Sequence, residues 1–255
     1  MPARRSCGSR SRATAPVRHR WLRPACSLFG TLAAIAAAGP ALAQLTGSVA
    51  VQSDYRFRGY SVSGGKPAGI LALSYDDPSG FYANESTIGA LSHGNDPLLL
   101  GVLANAGYAH RITTDISIDG GITRTQYYHY AARATDKAHY TEFYGGLIWR
   151  GISAHVYLSP DYLDHGNSTA YGEVDALLKS FGPWRLNGHA GVLGYLSTPR
   201  YVQRSTQYDW RLGLSRQLGH LDLHASVSGG GPNHDFYRGR SHSKTALGAG
   251  ASWIF

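Results

Sequence analysis

The feature that most constrains this chain is a succession of two-residue alternations, joined by connections that are short and long in strict turn. The pattern is clearest at the carboxy-terminal end. Phe255, Trp253, Ala251, Ala249, Leu247 and Thr245 share one face of an extended strand, and Ile254, Ser252, Gly250, Gly248, Ala246 and Lys244 share the other. Side chains of a strand point to opposite faces in turn, so this is a strand with one more apolar face. It stops on an aromatic residue, an end that would leave Phe and Trp in water if the chain were soluble. A barrel strand facing lipid accounts for that end, as does a buried last strand of a soluble sandwich.

The rest of the chain favours the barrel. With 243–255 as the last, twelve segments alternate: 45–59, 67–75, 81–88, 98–110, 115–127, 138–149, 152–159, 168–178, 184–195, 207–215 and 220–228 precede it. Segment 98–110 places Leu100, Val102, Ala104, Ala106 and Tyr108 on one face. Connections 76–80, 111–114, 150–151, 179–183 and 216–219 are short, and those between them are long. Short turns at one end and long loops at the other are the pattern of a meandering membrane barrel. Several segments reach the ~9–11 residues needed to cross a bilayer at a tilt; sandwich strands are nearer ~5–6. The expected fold is therefore all-β, a transmembrane antiparallel up-and-down β-barrel of about twelve strands.

Residues 1–43 read as a separate unit, a cleaved secretory signal peptide, with 44–255 as the barrel. Arg4, Arg5, Arg10, Arg12, Arg18, Arg20 and Arg23 come first, then an apolar run over 26–38, then the small-residue triplet Ala41-Leu42-Ala43. That order is the one an export signal uses. Its loss removes those arginines and takes the chain from a formal net charge of +8 to near neutrality, so nothing points to nucleic acid. Cys7 and Cys26 leave with it, which excludes disulfides and thiolate metal sites from the barrel. No later segment has the ~18 or more apolar residues of a membrane helix.

Ser53-Asp54-Tyr55-Arg56-Phe57-Arg58-Gly59 resembles the signature near the mature start of the TorF-type porin family of Gram-negative bacteria. Lys66-Pro67-Ala68, Ser79-Gly80-Phe81-Tyr82-Ala83, Tyr140 to Leu147, Tyr157-Leu158-Ser159-Pro160-Asp161-Tyr162 and Asp209 to Ser215 resemble further segments of that family. The resemblance covers the whole of 44–255. Tyr60 after the first motif and the Asn84-Glu85 pair depart from it. It implies a porin of the cell outer membrane, giving passive diffusion of small polar solutes; the expected signal peptide would carry the chain through the inner membrane.

Where apolar faces meet lipid, polar faces line the lumen. The expected lining is Asp54, Arg56 and Arg58 from the first strand, then Asp119, Arg124, Glu142, Glu173, Asp175, Arg185, Asp209, Arg211, Asp222 and Lys244. Basic groups opposite acidic ones would set a transverse field across a narrow passage; the same charges could equally form a structural network. Tyr55, Phe57, Trp149, Trp210, Trp253 and Phe255 are expected in the outward aromatic girdles. The expected partners are the lipid bilayer and lipopolysaccharide, the barrel-assembly machinery through the last strand, and a small polar solute. No cofactor, metal site or enzymatic activity is expected. A rival reading is a non-conducting structural or adhesin barrel. Another is a barrel hydrolase, for which His165 and Ser168 supply residue types that also make ordinary loops.

Overall fold

The computed structural model describes residues 44–91, 96–129, 138–163, 166–197, 206–232, 234–237 and 240–255. The expected signal peptide lies outside the described residues. Twelve strands close into one antiparallel barrel. They are β1 (Gln44–Gln52), β4 (Ala68–Asp76), β5 (Phe81–Leu91), β6 (Pro97–Arg111), β7 (Ile116–Tyr127), β8 (Ala138–Trp149), β9 (Ile152–Ser159), β10 (Thr169–Phe181), β11 (Trp184–Tyr195), β12 (Thr206–Leu218), β13 (Leu221–Gly231) and β16 (Ala246–Ile254). Two short hairpins stand apart from the wall: β2 (Arg56–Phe57) with β3 (Tyr60–Ser61), and β14 (Asp235–Tyr237) with β15 (Arg240–His242).

Each wall strand pairs with its neighbours along the chain, and β16 closes the ring on β1. Val49 stands opposite Trp253 and Val51 opposite Ala251. Below them the amide and carbonyl of Gly47 bond to the carbonyl and amide of Phe255 at 3.0 and 2.9 Å. Closure satisfies the edge groups that an open sheet would leave bare in a bilayer. The short turns are tight: Arg150-Gly151 alone joins Trp149 to its register partner Ile152.

The exterior is apolar around the ring. Leu45, Val51, Val156, Val174 and Leu223 are among its exposed side chains, and the inward parity of the same strands carries Ser48, Ser159, Glu173 and Asp222. Such an exterior suits hydrocarbon, not water. Trp149, Trp253 and Phe255 are exposed on the outside at the short-turn end, and Trp210 is exposed towards the long-loop end.

One sector of the interior is apolar too: Ala50, Ile70, Ile88, Leu100 and Leu103 are buried together. Leu100 corrects the sequence expectation. A register shift opposite Ile88 and Gly89 inserts one residue into β6, so Leu100 turns inward and is fully buried while Val102 keeps its place. A bulge reverses the parity beyond it, which simple alternation does not foresee. A buried apolar patch inside a barrel requires something to cover it.

Candidate functional site: a hairpin held inside the barrel

The cover is the segment between β1 and β4. At Ser53 the chain leaves the wall. The Ser53 amide donates to the Ala249 carbonyl at 2.9 Å, and the Ala249 amide donates to Ser53 Oγ at 3.1 Å. The segment then crosses the interior as the β2–β3 hairpin, with Phe57 opposite Tyr60. Arg58 and Gly59 form its two-residue turn with φ of 47° and 77°, the left-handed pair that matches strand twist. A left-handed Arg costs about 1–2 kcal/mol, and here it puts a guanidinium at the tip. A Cβ on Gly59 would stand 3.0 Å from Cβ of Asp209 on β12 and 3.5 Å from the Gly229 carbonyl on β13, so the turn sits against the wall there.

Asp54 organises the base. Its Oδ1 accepts from Ser61 Oγ at 2.5 Å and Ser63 Oγ at 2.8 Å, and Ser63 Oγ accepts from the Tyr55 amide at 2.9 Å. Tyr55 and Val62 are thereby turned onto the buried apolar patch, at 1% and 0% exposure. Burial of Val62 alone contributes about 1.5–3 kcal/mol.

This arrangement corrects the reading of 45–59 as one wall strand. Asp54, Arg56 and Arg58 lie in the lumen on a hairpin, not on the wall. Tyr55 and Phe57 do not join the outward girdle: Tyr55 is buried inside and Phe57 packs against the same cluster. Once the chain leaves the sheet at Ser53, its alternation no longer refers to the barrel's two faces.

Two arginines fasten the hairpin at opposite ends. Arg58 donates from Nη1 and Nη2 to the two carboxylate oxygens of Glu142 on β8, at 2.8 and 2.9 Å. Both side chains are almost fully buried, at 7% and 3% exposure. The guanidinium also lies over the rings of Tyr171, Phe57, Tyr162 and Tyr157, with centroids at 3.9, 4.9, 5.2 and 5.5 Å. A planar, delocalised cation suits a bidentate carboxylate and ring faces together. Arg56 ties the other side: Nη1 donates to Asp54 at 2.9 Å, and Nη2 donates to Asp235 of β14 at 2.9 Å and to the Gly59 and Lys244 carbonyls at 2.7 and 3.0 Å. Asp235 accepts in turn from the Ser61 amide, and the Lys244 ammonium sits 3.5 Å from the Tyr60 ring centroid. The hairpin thus spans the lumen from β8 to the connection between β13 and β16.

Two inward rows of the wall continue towards the short-turn end. One runs Gly107, Gly121, Tyr144, Tyr157, Tyr171 across β6 to β10. The next runs Asp119, Gly146, His155, Glu173, Gly191, Asp209 across β7 to β12. Of the expected lining, Asp119, Glu173 and Asp209 therefore share one row. His155 Nε2 bonds Asp119 at 3.1 Å, Tyr157 donates to Glu173 at 3.1 Å, and Tyr171 donates to Asp209 at 3.2 Å. Asp175 and Arg211 stand one row further on, flanking His189, which bonds Asp175 and Asp209 through its two ring nitrogens, each at 3.0 Å. Arg211 is 44% and Asp175 25% exposed inside the ring, so solvent reaches this level. Arg185 and Asp222 pair at 2.7 Å towards the short-turn end. Glu142 is taken up by Arg58.

Arg124 is a further correction. Asp119 and Thr123 face inward, so Arg124, one residue on, faces outward; its side chain is 49% exposed and donates to Thr141 Oγ1 at 2.8 Å. His155, His189, Asp235 and the tyrosines of the first row were not anticipated as site residues. His189 shares inward parity with Arg185 on β11, and His155 lies on the face of β9 opposite Ala154, Val156 and Leu158; that parity could have found them. Glu173, Asp175 and His189 offer ligand atoms within 4.8 Å of one another, but each is already engaged by protein groups. Of the residues a hydrolase would use, His165 lies outside the described residues, and Ser168 Oγ donates to the Pro160 carbonyl at 3.4 Å.

The tyrosines lie along the wall, not across the lumen. Tyr82 and Tyr144 reach towards each other over Gly107 and Gly121, their hydroxyls 2.5 Å apart, and a Cβ on Gly107 would come 2.6 and 2.7 Å from those two oxygens. A Cβ on Gly191 would overlap the Tyr171 hydroxyl that passes over it.

No curated protein matches the chain. Among solved structures, the NanC porin is similar over 83% of this chain and 98% of its own, with a TM-score of 0.54 and 10% identity. The KdgM porin is similar over 82% of this chain and 99% of its own, with a TM-score of 0.50 and 12% identity. At these identities the likeness is one of fold, the closed twelve-strand antiparallel barrel. A family model for bacterial proteins of unknown function matches residues 35–239, and the chain belongs to that family, Gcw_chp.

Proposed function

We propose that this chain is an outer-membrane porin that passes small polar solutes by diffusion, its passage narrowed by the β2–β3 hairpin. The observation that carries the reading is a charged interior open to solvent at Arg211 and Asp175, inside a closed barrel with an apolar exterior. Twelve strands lie between the filled eight-stranded and the open sixteen-stranded cases, which leaves room for a restricted passage. The porin folds it shares with NanC and KdgM, and the resemblance of Ser53 to Gly59 to the TorF-type porin signature, support the same reading. Lipid and lipopolysaccharide surround the exterior, and the barrel-assembly machinery receives the β16 end. The passage works without catalysis.

The test is conductance of the purified protein in planar bilayers. Discrete current steps on insertion are expected. Their absence over repeated insertions, with the barrel shown folded, would overturn the porin reading and leave a structural barrel.

A further inference from the structure

On a wall that meets lipid, an outward charge near mid-depth is disfavoured. Glu85 is such a charge on one side of β6, and Arg124, nearer the long-loop end, flanks the other side of the same strand. Glu85 on β5 stands opposite Leu73 on β4 and Ala104 on β6, and Leu73 is 41% exposed on the outside. Arg124 on β7 stands opposite the same Ala104 on the other side. Leu73, Glu85, Ala104, Arg124 and Thr141 thus form one outward row. Glu85 accepts from the Thr87 hydroxyl at 2.7 Å; Arg124 donates to Thr141 and forms a long ion pair with Asp161 at 3.8 Å, which leaves its other guanidinium nitrogens for a second carboxylate. Among the described residues no ion pair holds Glu85. The two charges are two strand spacings apart, roughly 10 Å, yet they do not meet.

A two-fold axis parallel to the barrel axis, passing in front of Ala104, brings each copy's β5 opposite the other copy's β7. Glu85 then faces the partner's Arg124, and Arg124 faces the partner's Glu85. Because strands are tilted ~35–45°, Arg124 stands roughly 6 Å higher on the barrel than Glu85, a step that two extended side chains can bridge. Small exposed residues sit at the centre: Ala104, with Ala83 and Ala106 in the adjacent row. They let two walls approach closely enough for the flanking charges to pair away from lipid. An isologous contact of this kind closes on itself as a dimer.

From the outward parity of Glu85 and Arg124 about Ala104, we propose that the exterior of β5 to β7 is the contact between two copies of this chain. The proposal rests on the exterior meeting lipid, but not on the lumen conducting.

Cross-linking tests it. In the full chain carrying Cys7→Ser and Cys26→Ser, Ala104→Cys places one thiol on each side of the axis. Oxidation in isolated membranes is expected to give a disulfide-linked dimer. Leu212→Cys, exposed on β12 across the barrel, is expected to stay monomeric. Glu85→Arg or Arg124→Glu, each added to Ala104→Cys, is expected to lower the cross-linked fraction roughly tenfold or more, and the two together to restore it. Folded barrels are scored by their electrophoretic heat shift; if a reversal fails to fold, Glu85→Gln is read by native mass spectrometry for loss of the dimer. An Ala104→Cys protein that remains monomeric, or cross-links no faster than Leu212→Cys, overturns the proposal, and the intrachain Arg124–Asp161 pair and a lipid contact at Glu85 then account for the charges. Conductance is not the readout, so either reading can fail without the other.

Discussion

Arg58→Ala removes the latch between the hairpin and the wall. Glu142, 2% exposed, then keeps its desolvated carboxylate without the two-bond partner that Arg58 provides. Breaking a buried pair from one side costs about 3–5 kcal/mol, because the remaining charge is left uncompensated. Part of that is relieved if the hairpin withdraws and water enters. Taken whole, it shifts the balance between inserted and withdrawn hairpin by a factor of about 10²–10³ or more. The Arg56 tether to Asp235 and the burial of Tyr55 and Val62 oppose complete release, so rapid openings on a raised mean conductance are expected in planar bilayers. Labelling of Tyr60→Cys from outside should accelerate in the same background. Arg58→Lys keeps the charge but loses the fork and the ring contacts, so it should fall between the two. If Arg58→Ala leaves both conductance and labelling unchanged, the hairpin does not limit the passage, and the Arg58–Glu142 pair is structural only.

Two further outcomes are expected. Gly191→Ala, made in the Arg58→Ala protein, should displace Tyr171 from its seat and lower the raised conductance, at a stability cost of about 1–3 kcal/mol from overpacking; an unchanged conductance on single-channel recording would show that Tyr171 does not border the passage. Deleting Phe255 removes the backbone pair with Gly47 that finishes the β1–β16 seam. Heat-shift electrophoresis should then show less folded barrel in membranes while the folded fraction conducts as before, and full assembly would assign Phe255 no part in closure.

Much of the wall was legible because a two-sided sheet writes itself as alternation. Leu45 to Gln52 and Leu247 to Phe255 name their outward faces directly, and Arg150-Gly151 names its turn. The hairpin was not legible for the same reason. Ser53 to Gly59 continue the polar–aromatic rhythm without a break, and a lumen hairpin alternates as a wall strand does. What distinguishes them is where the chain leaves the sheet, and that depends on the long-range bonds of Ser53 to Ala249, Arg58 to Glu142 and Arg56 to Asp235. Arg124 illustrates a different failure: its charge suggested the lumen, but its parity with Asp119 put it outside. The bulge opposite Ile88 and Gly89, which buries Leu100, has no marker in composition at all. The charged rows were legible residue by residue as carboxylates and arginines; their grouping around His155 and His189 followed only from the register.

The glycines beneath Tyr82, Tyr144 and Tyr171 act as the calibre of the bore. In a barrel of fixed strand number the circumference is set, so free cross-section depends on how far side chains stand out from the wall. Each of these rings lies down across a neighbouring strand because that strand offers a bare backbone to lie on. A methyl group at such a seat would tip its ring towards the axis. Residues that never touch a solute would then decide how large a solute can pass.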